Sequence, residues 1–87
     1  VSGLRELKNI GAVVAAELEA AGIADAEALR EAGAVGAALR LRVAGCDVCR
    51  SKLAGLEGAL RDLKWNLIPP EERRALWERL ESFTGEG

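Results

Sequence analysis

The chain has 87 residues, enough for one domain and one modest core, because a chain this short buries only roughly 60–65% of the surface its unfolded form exposes. Hydrophobic residues make up 49% and charged residues 30%, a globular balance, and 12 basic against 14 acidic side chains leave a net charge of −2. That sign excludes a bulk basic field for holding nucleic acid, and the absence of histidine excludes Ser-His and Cys-His couples and imidazole metal ligands.

Apolar residues recur at helical spacing throughout, and strict alternation is absent. Leu4, Leu7 and Ile10 predict a short first helix that stops at Gly11. Val14, Leu18 and Ala21 share one face of a second, closed by Gly22, a residue that accepts positive φ. Asp25 is an N-cap for a brief third helix through Leu29 to Ala32, ended by Gly33. Val35, Leu39 and Val43 define a fourth, ended by Gly45. Leu53, Leu56, Leu60 and Leu63 form the longest stripe, from about Val48 to Lys64. Pro69 and Pro70 open a sixth helix, where a missing N–H is harmless, and its apolar face is Leu76, Leu80 and Phe83. Glu57/Arg61 and Arg74/Glu78 stand at i,i+4 spacing on the polar faces, where an ion pair would add a few tenths of a kcal/mol. The expected fold class is all-α, a compact bundle of five to six short helices in a single domain over residues 1–83, with a loose tail at 84–87.

Arg30, Arg40 and Arg42 interrupt the most alanine-rich region, so no transmembrane helix is expected. Val1-Ser2-Gly3-Leu4-Arg5 is not a basic segment followed by an apolar one, so no signal peptide is visible, and the missing initiator Met means that the chain is processed, trimmed or cut from something longer. Two cysteines do not make a disulfide framework, and a cytoplasmic setting is expected.

Leu7-Lys8-Asn9-Ile10-Gly11, a helix, Gly22-Ile23 and another helix together have the outline of a helix-hairpin-helix unit. There a glycine-containing turn aims backbone N–H groups from a helix N-terminus at a DNA phosphate. The candidate DNA contacts are Arg5, Lys8, Asn9, Ile10 and Gly11. The alternative is a tight turn with a purely structural role, favoured by Ala12, Val13 and Val14 where a phosphate binder would place Lys, Ser or Thr.

The same stretches carry a family resemblance. Leu7-Lys8-Asn9-Ile10-Gly11, Leu18 with Gly22-Ile23, Leu29-Arg30 with Gly33-Ala34-Val35, Leu56-Glu57-Gly58-Ala59-Leu60, Trp65, and Pro70-Glu71-Glu72-Arg73 with Leu76 follow in order from about Leu4 to Leu80. In this pattern the chain resembles the C-terminal domain of the TfoX/Sxy family, bacterial regulators of competence for DNA uptake. The resemblance implies a regulatory role in competence-gene transcription alongside the cyclic-AMP receptor protein, in a family whose members usually carry a separate N-terminal domain. Two positions depart from the family's habit: Ala12 stands where Pro is common after the turn glycine, and Arg50 and Lys52 interrupt an apolar run.

Other motifs read as structural. Cys46-Asp47-Val48-Cys49 is a single C-x-x-C with no second pair and no His to complete a zinc site, and no thioredoxin-like setting surrounds it; two partly buried cysteines at a helix start are expected. Trp65 and Trp77 are expected to anchor helix junctions, against a weaker reading as stacking platforms among Lys64, Arg73, Arg74 and Arg79. Gly55 and Gly58 lie inside a helix, where each costs about 1 kcal/mol relative to Ala, so a close neighbour, internal or a second copy, should compensate. Glu71/Glu72 and Glu17/Glu19 read as solvated carboxylates rather than an acid-base pair. No cofactor and no membrane partner are implied, and the chain reads as non-catalytic. Two functions remain: a regulatory module with a protein partner in transcription and weak DNA contact, or a structural interaction domain that forms a homodimer and never meets nucleic acid.

Overall fold

A computed structural model describes residues 4–84, and among them there are four α-helices, two short 3-10 turns and no strand. A 3-10 turn at Leu4–Glu6 leads into α1 (Ala12–Ala20), α2 (Ala26–Val43) and α3 (Arg50–Arg61); a second 3-10 turn at Trp65–Leu67 then leads into α4 (Pro70–Thr84). The all-α class holds, but the expected five to six helices become four. The first expected helix is only the Leu4–Glu6 turn, followed by tight turns in which the Leu7 and Ile10 amides donate to the carbonyls of Leu4 and Leu7 at 3.1 and 3.3 Å. Among the described residues no α-helix precedes the turn at residues 8–11, so a helix-hairpin-helix unit is not shown there. The expected third and fourth helices are counted together as α2, and the helical path breaks between them at Gly33 as the sequence places it, with φ 76°, ψ 167°, a conformation open essentially to glycine alone. Residues 85–87 of the expected tail lie outside the described residues, and Thr84 is the last residue of α4.

Three helices end the same way. At the C-terminus of α1 the Ile23 amide reaches back to the Leu18 carbonyl at 2.8 Å and Gly22 to Glu19 at 3.1 Å, with Gly22 at φ 93°. Cys46 to Leu41 at 2.9 Å, with Gly45 at φ 91°, repeats the pattern after α2. After α3, Leu63 donates to Gly58 at 2.8 Å and the left-handed residue is Asp62, φ 60°. Each motif satisfies carbonyls that the helix end would leave unpaired, and each turns the chain sharply. The helix starts differ from one another. Asp25 caps α2 by accepting from the Ala28 amide at 2.8 Å, as its sequence position predicts. Cys49 caps α3 with its sulfur, which accepts from the Lys52 amide at 3.4 Å.

Helix α3 is the central element: Leu53, Ala54, Gly55, Leu56, Gly58 and Ala59 are all buried, leaving only a narrow polar strip. α2, α4 and the Trp65–Leu67 turn pack against it. Leu4, Leu18, Ile23, Leu29, Leu41, Leu53, Leu56, Ile68 and Leu80 are almost completely withdrawn from water, each contributing about 1.5–3 kcal/mol of burial. Two residues expected on core faces lie outside. Val43 is 89% exposed, because it sits about 200° around the helix from the buried Leu41. Phe83 shares the face of Leu76 and Leu80 but is 64% exposed on the last turn of α4, at the edge of a shallow groove with Leu39 and Leu60.

Candidate functional site

Two neighbouring surfaces carry the polar chemistry, and both are built on α3. The first is organised by Asn9. Its backbone is left-handed, φ 69°, a conformation Asn tolerates better than most side chains. The side-chain amide donates to the Leu63 carbonyl at 2.8 Å and to the Gly55 carbonyl at 3.3 Å, while Oδ1 accepts from the Trp65 amide at 3.2 Å. One side chain thereby joins the N-terminal segment, the middle of α3 and the connection that follows it. Gly55 and Gly58 make room for it: a Cβ on Gly58 would stand 2.5 Å from the Leu63 carbonyl oxygen and 2.6 Å from Asn9 Nδ2, and one on Gly55 3.4 Å from the Asn9 Cβ. The close neighbour anticipated for the two glycines is therefore internal, and it is an asparagine and a carbonyl rather than a helix.

The five residues singled out in the sequence divide accordingly. Ile10 is buried in the core and Asn9 is engaged in the junction. Lys8 is exposed and pairs at 3.5 Å with the still more exposed Asp62, and Gly11 opens α1 with no side-chain cap on that helix. Arg5 falls within the Leu4–Glu6 turn, and its side chain lies outside the described residues.

The second surface is an open groove of about 260 Å³ where the starts of α3 and α4 meet, touched in the sequence only by the weaker reading of the tryptophans as stacking platforms among Lys64, Arg73, Arg74 and Arg79. Arg50, Arg73 and Arg74 line it with Ser51 and Trp65. The Arg73 guanidinium lies 5.2 Å from the Trp65 ring centroid, and its Nε donates to the Ile68 carbonyl at 3.0 Å. Behind the groove, Arg42 and Arg50 share the Trp77 ring at 5.4 and 5.5 Å. Trp77 is half-buried against the core, as a junction anchor should be, whereas Trp65 is 40% exposed and is not the core residue expected. The tryptophans instead position arginines, Arg73 on Trp65 and Arg42 with Arg50 on Trp77. The sequence signal was the basic residues beside the tryptophans, Arg73 and Arg74 among them; Arg50, far away in the chain, gave none.

Glu17, Glu57 and Glu72 pair with cations on the helices. Glu17 on α1 holds Lys52 on α3 at 2.8 Å, and Lys52 also donates to the Asp47 carbonyl at 2.7 Å. Arg61 bridges Glu57, its i,i+4 partner, at 2.7 Å and Glu72 on α4 at 2.8 Å. Hydrogen bonds to Glu72, then Glu57, hold the Arg61 guanidinium above its usual pKa. Cys46 and Cys49 are free thiols, and among the described residues no three His, Cys, Asp or Glu side chains gather into a metal site.

The TfoX C-terminal domain family matches residues 2–80, nearly the whole chain. The chain belongs to that family. Solved structures share its fold. The chain is similar to an uncharacterised protein from Listeria monocytogenes in a triclinic crystal form, at 34% identity and TM-score 0.84, covering 94% of this chain and 93% of that one. It is also similar to a Listeria monocytogenes protein of unknown function in a tetragonal form, at 35% identity and TM-score 0.76, covering 90% of this chain and all of that one. No curated protein matches it. In family terms, the Asn-Ile-Gly turn, the Leu-Glu-Gly-Ala-Leu helix and the tryptophan five residues later are one junction in space: Asn9 touches all three. No described helix is long and apolar enough to cross a membrane.

Proposed function

We propose that this TfoX C-terminal domain is a non-catalytic regulatory module of the cytoplasm, working through a protein partner in transcription and through weak, non-specific contacts to DNA phosphates. The observation that supports this reading is the way Asn9 pins the turn of residues 8–11 to α3 by three hydrogen bonds. A turn so anchored holds Lys8 and the first, uncapped turn of α1 in place at the surface, where Gly11, Ala12 and Val13 are exposed. Backbone amides at a helix start and an adjacent cation are what a phosphate oxygen requires. Asn9 and Ile10 serve that contact by setting the turn, and Lys8 and the Gly11 backbone face the phosphate. Fluorescence anisotropy with labelled duplex and single-stranded DNA at about 50 and 200 mM salt tests it. Binding should fall steeply with salt and weaken in a folded Lys8→Glu variant; binding unchanged in that variant would remove the turn from the contact.

A second reading, a homodimerisation or protein-docking domain that never meets nucleic acid, is favoured by a different patch. Val43 projects from the end of α2 beside a hollow lined by Ala20, Ala21, Leu39 and Ala44, almost wholly apolar apart from Arg40. Light scattering on the intact chain distinguishes the two: a stable dimer abolished by Val43→Lys, with no DNA retained, would favour this alternative.

A further inference from the structure

The arginine groove is not explained by the turn at residues 8–11. In a chain of net charge −2, the groove is lined by three arginines and no acidic residue. Of the carboxylates on the two helices flanking it, Glu57 and Glu72 are committed to Arg61, and Glu71, Glu78 and Glu81 of α4 do not line the groove. Among the described residues Arg50, Arg73 and Arg74 have no ion-pair partner. Helix α3 even opens on Arg50 with no acidic residue in its first turn, against the direction of its dipole.

Aromatic rings hold two of these guanidinium groups instead. Arg50 rests on Trp77 and Arg73 on Trp65, at 5.5 and 5.2 Å. A ring fixes the position of a guanidinium without cancelling its charge, so the groove presents ordered positive groups that lose little freedom on binding an anion.

We infer that this groove binds the phosphates of a single nucleic-acid strand, with Arg50 and Arg74 on the phosphate oxygens and Trp65, steadied by Arg73, stacking one unpaired base. This rests on the reading that the domain touches nucleic acid and adds where and in which form. A strand is favoured over an acidic peptide because the groove pairs its cations with a 40% exposed indole, the two parts a single-strand site needs. The second depression continues the path: Ser51 and Trp65 line both, and Asn9, Ile10 and Val14 lie on the far side.

The test is a proton–nitrogen NMR titration of the intact chain at about 50 mM salt with three probes: a short oligothymidylate, inorganic phosphate and an oligoglutamate. The oligothymidylate should shift the Arg50, Ser51 and Arg74 amides and the Trp65 indole. Arg50→Glu/Arg74→Glu should lower its affinity tenfold or more and reduce the slope of log affinity against log salt by about one for each phosphate no longer neutralised. Arg74→Glu alone, at an exposed position, should act in the same direction if the double variant does not fold. Trp65→Ala should weaken single-strand binding while sparing duplex binding. Shifts confined to residues 8–13 that survive the charge reversals would overturn the groove and leave the turn as the DNA contact. Phosphate shifting the groove without any oligonucleotide binding, or oligoglutamate binding as well as oligothymidylate, would overturn the strand. Silence with every probe would overturn both the groove and the DNA reading.

Discussion

Asn9 and Gly58 fill one another's space: a single Cβ at position 58 would sit 2.6 Å from the Asn9 amide nitrogen that bonds the Leu63 carbonyl. The pair lies 49 positions apart in the sequence, so its contact closes the N-terminal segment onto α3. Everything the domain presents at residues 8–13 is hung on that contact.

Gly58→Ala is therefore expected to destabilise by about 2–4 kcal/mol, although the same change at a free helical site stabilises by up to about 1 kcal/mol. The Leu63 carbonyl, 2.5 Å from the added methyl, is backbone and cannot swing aside as a flexible side-chain end could. Gly36→Ala supplies the contrast, since its Cβ would meet only Ala32 Cβ at an ordinary 3.7 Å; it should be neutral or stabilising. Urea unfolding of the two variants beside the parent protein measures the difference.

Asn9→Ala removes three hydrogen bonds, leaves part-buried carbonyls of Leu63 and Gly55 short of a donor and puts alanine at φ 69°. A loss of about 2–4 kcal/mol is expected. Asn9→Gly separates the causes, because glycine accepts that φ freely; it should recover about 1 kcal/mol of the loss. Equal losses in the two variants would mean that the backbone conformation at Asn9 carries no strain.

Cys49→Ser should stabilise the domain by a few tenths to about 1 kcal/mol. The sulfur is a weak acceptor for the Lys52 amide at 3.4 Å, and a serine oxygen caps a helix better. A thermal unfolding midpoint that falls in this variant would show that the thiol contributes packing that the cap distance does not reveal.

The Lys52–Glu17 pair joins α1 to α3 with both side chains largely covered, 18% and 26% exposed. A double-mutant cycle with Lys52→Met and Glu17→Gln should return a coupling of about 1 kcal/mol, more than the few tenths expected of the exposed Arg61–Glu57 pair. Salt should weaken the second coupling more than the first.

Most of the helical scaffold is legible in the sequence because its signals are local. Asp25 as a cap, Gly22 and Gly45 as left-handed C-terminal residues and the double proline before α4 all act where the sequence puts them. Leu63 fits the spacing of the α3 stripe, but Asp62 takes the left-handed conformation usually left to glycine and ends the helix before it. Gly33 breaks the helical path where the sequence places it, at φ 76°, ψ 167°. The site is less legible because its contacts are not local. Asn9 has the look of a DNA contact beside Lys8, and its engagement by Gly55, Leu63 and Trp65 rests on contacts 46 to 56 residues away. Trp65 has the look of core because the chain has few rings, yet its partner is the Arg73 guanidinium at the surface.

The most direct measurement is the affinity of the intact domain for a labelled single strand by fluorescence anisotropy at about 50 and 200 mM salt, with Lys8→Glu and Arg50→Glu/Arg74→Glu measured alongside. The expected result is binding that drops steeply between the two salts, weakens in Lys8→Glu and is largely abolished in the arginine double variant while all three proteins stay folded. No binding by the parent protein at the lower salt and high protein concentration would contradict nucleic-acid contact and leave the domain as a protein-docking module.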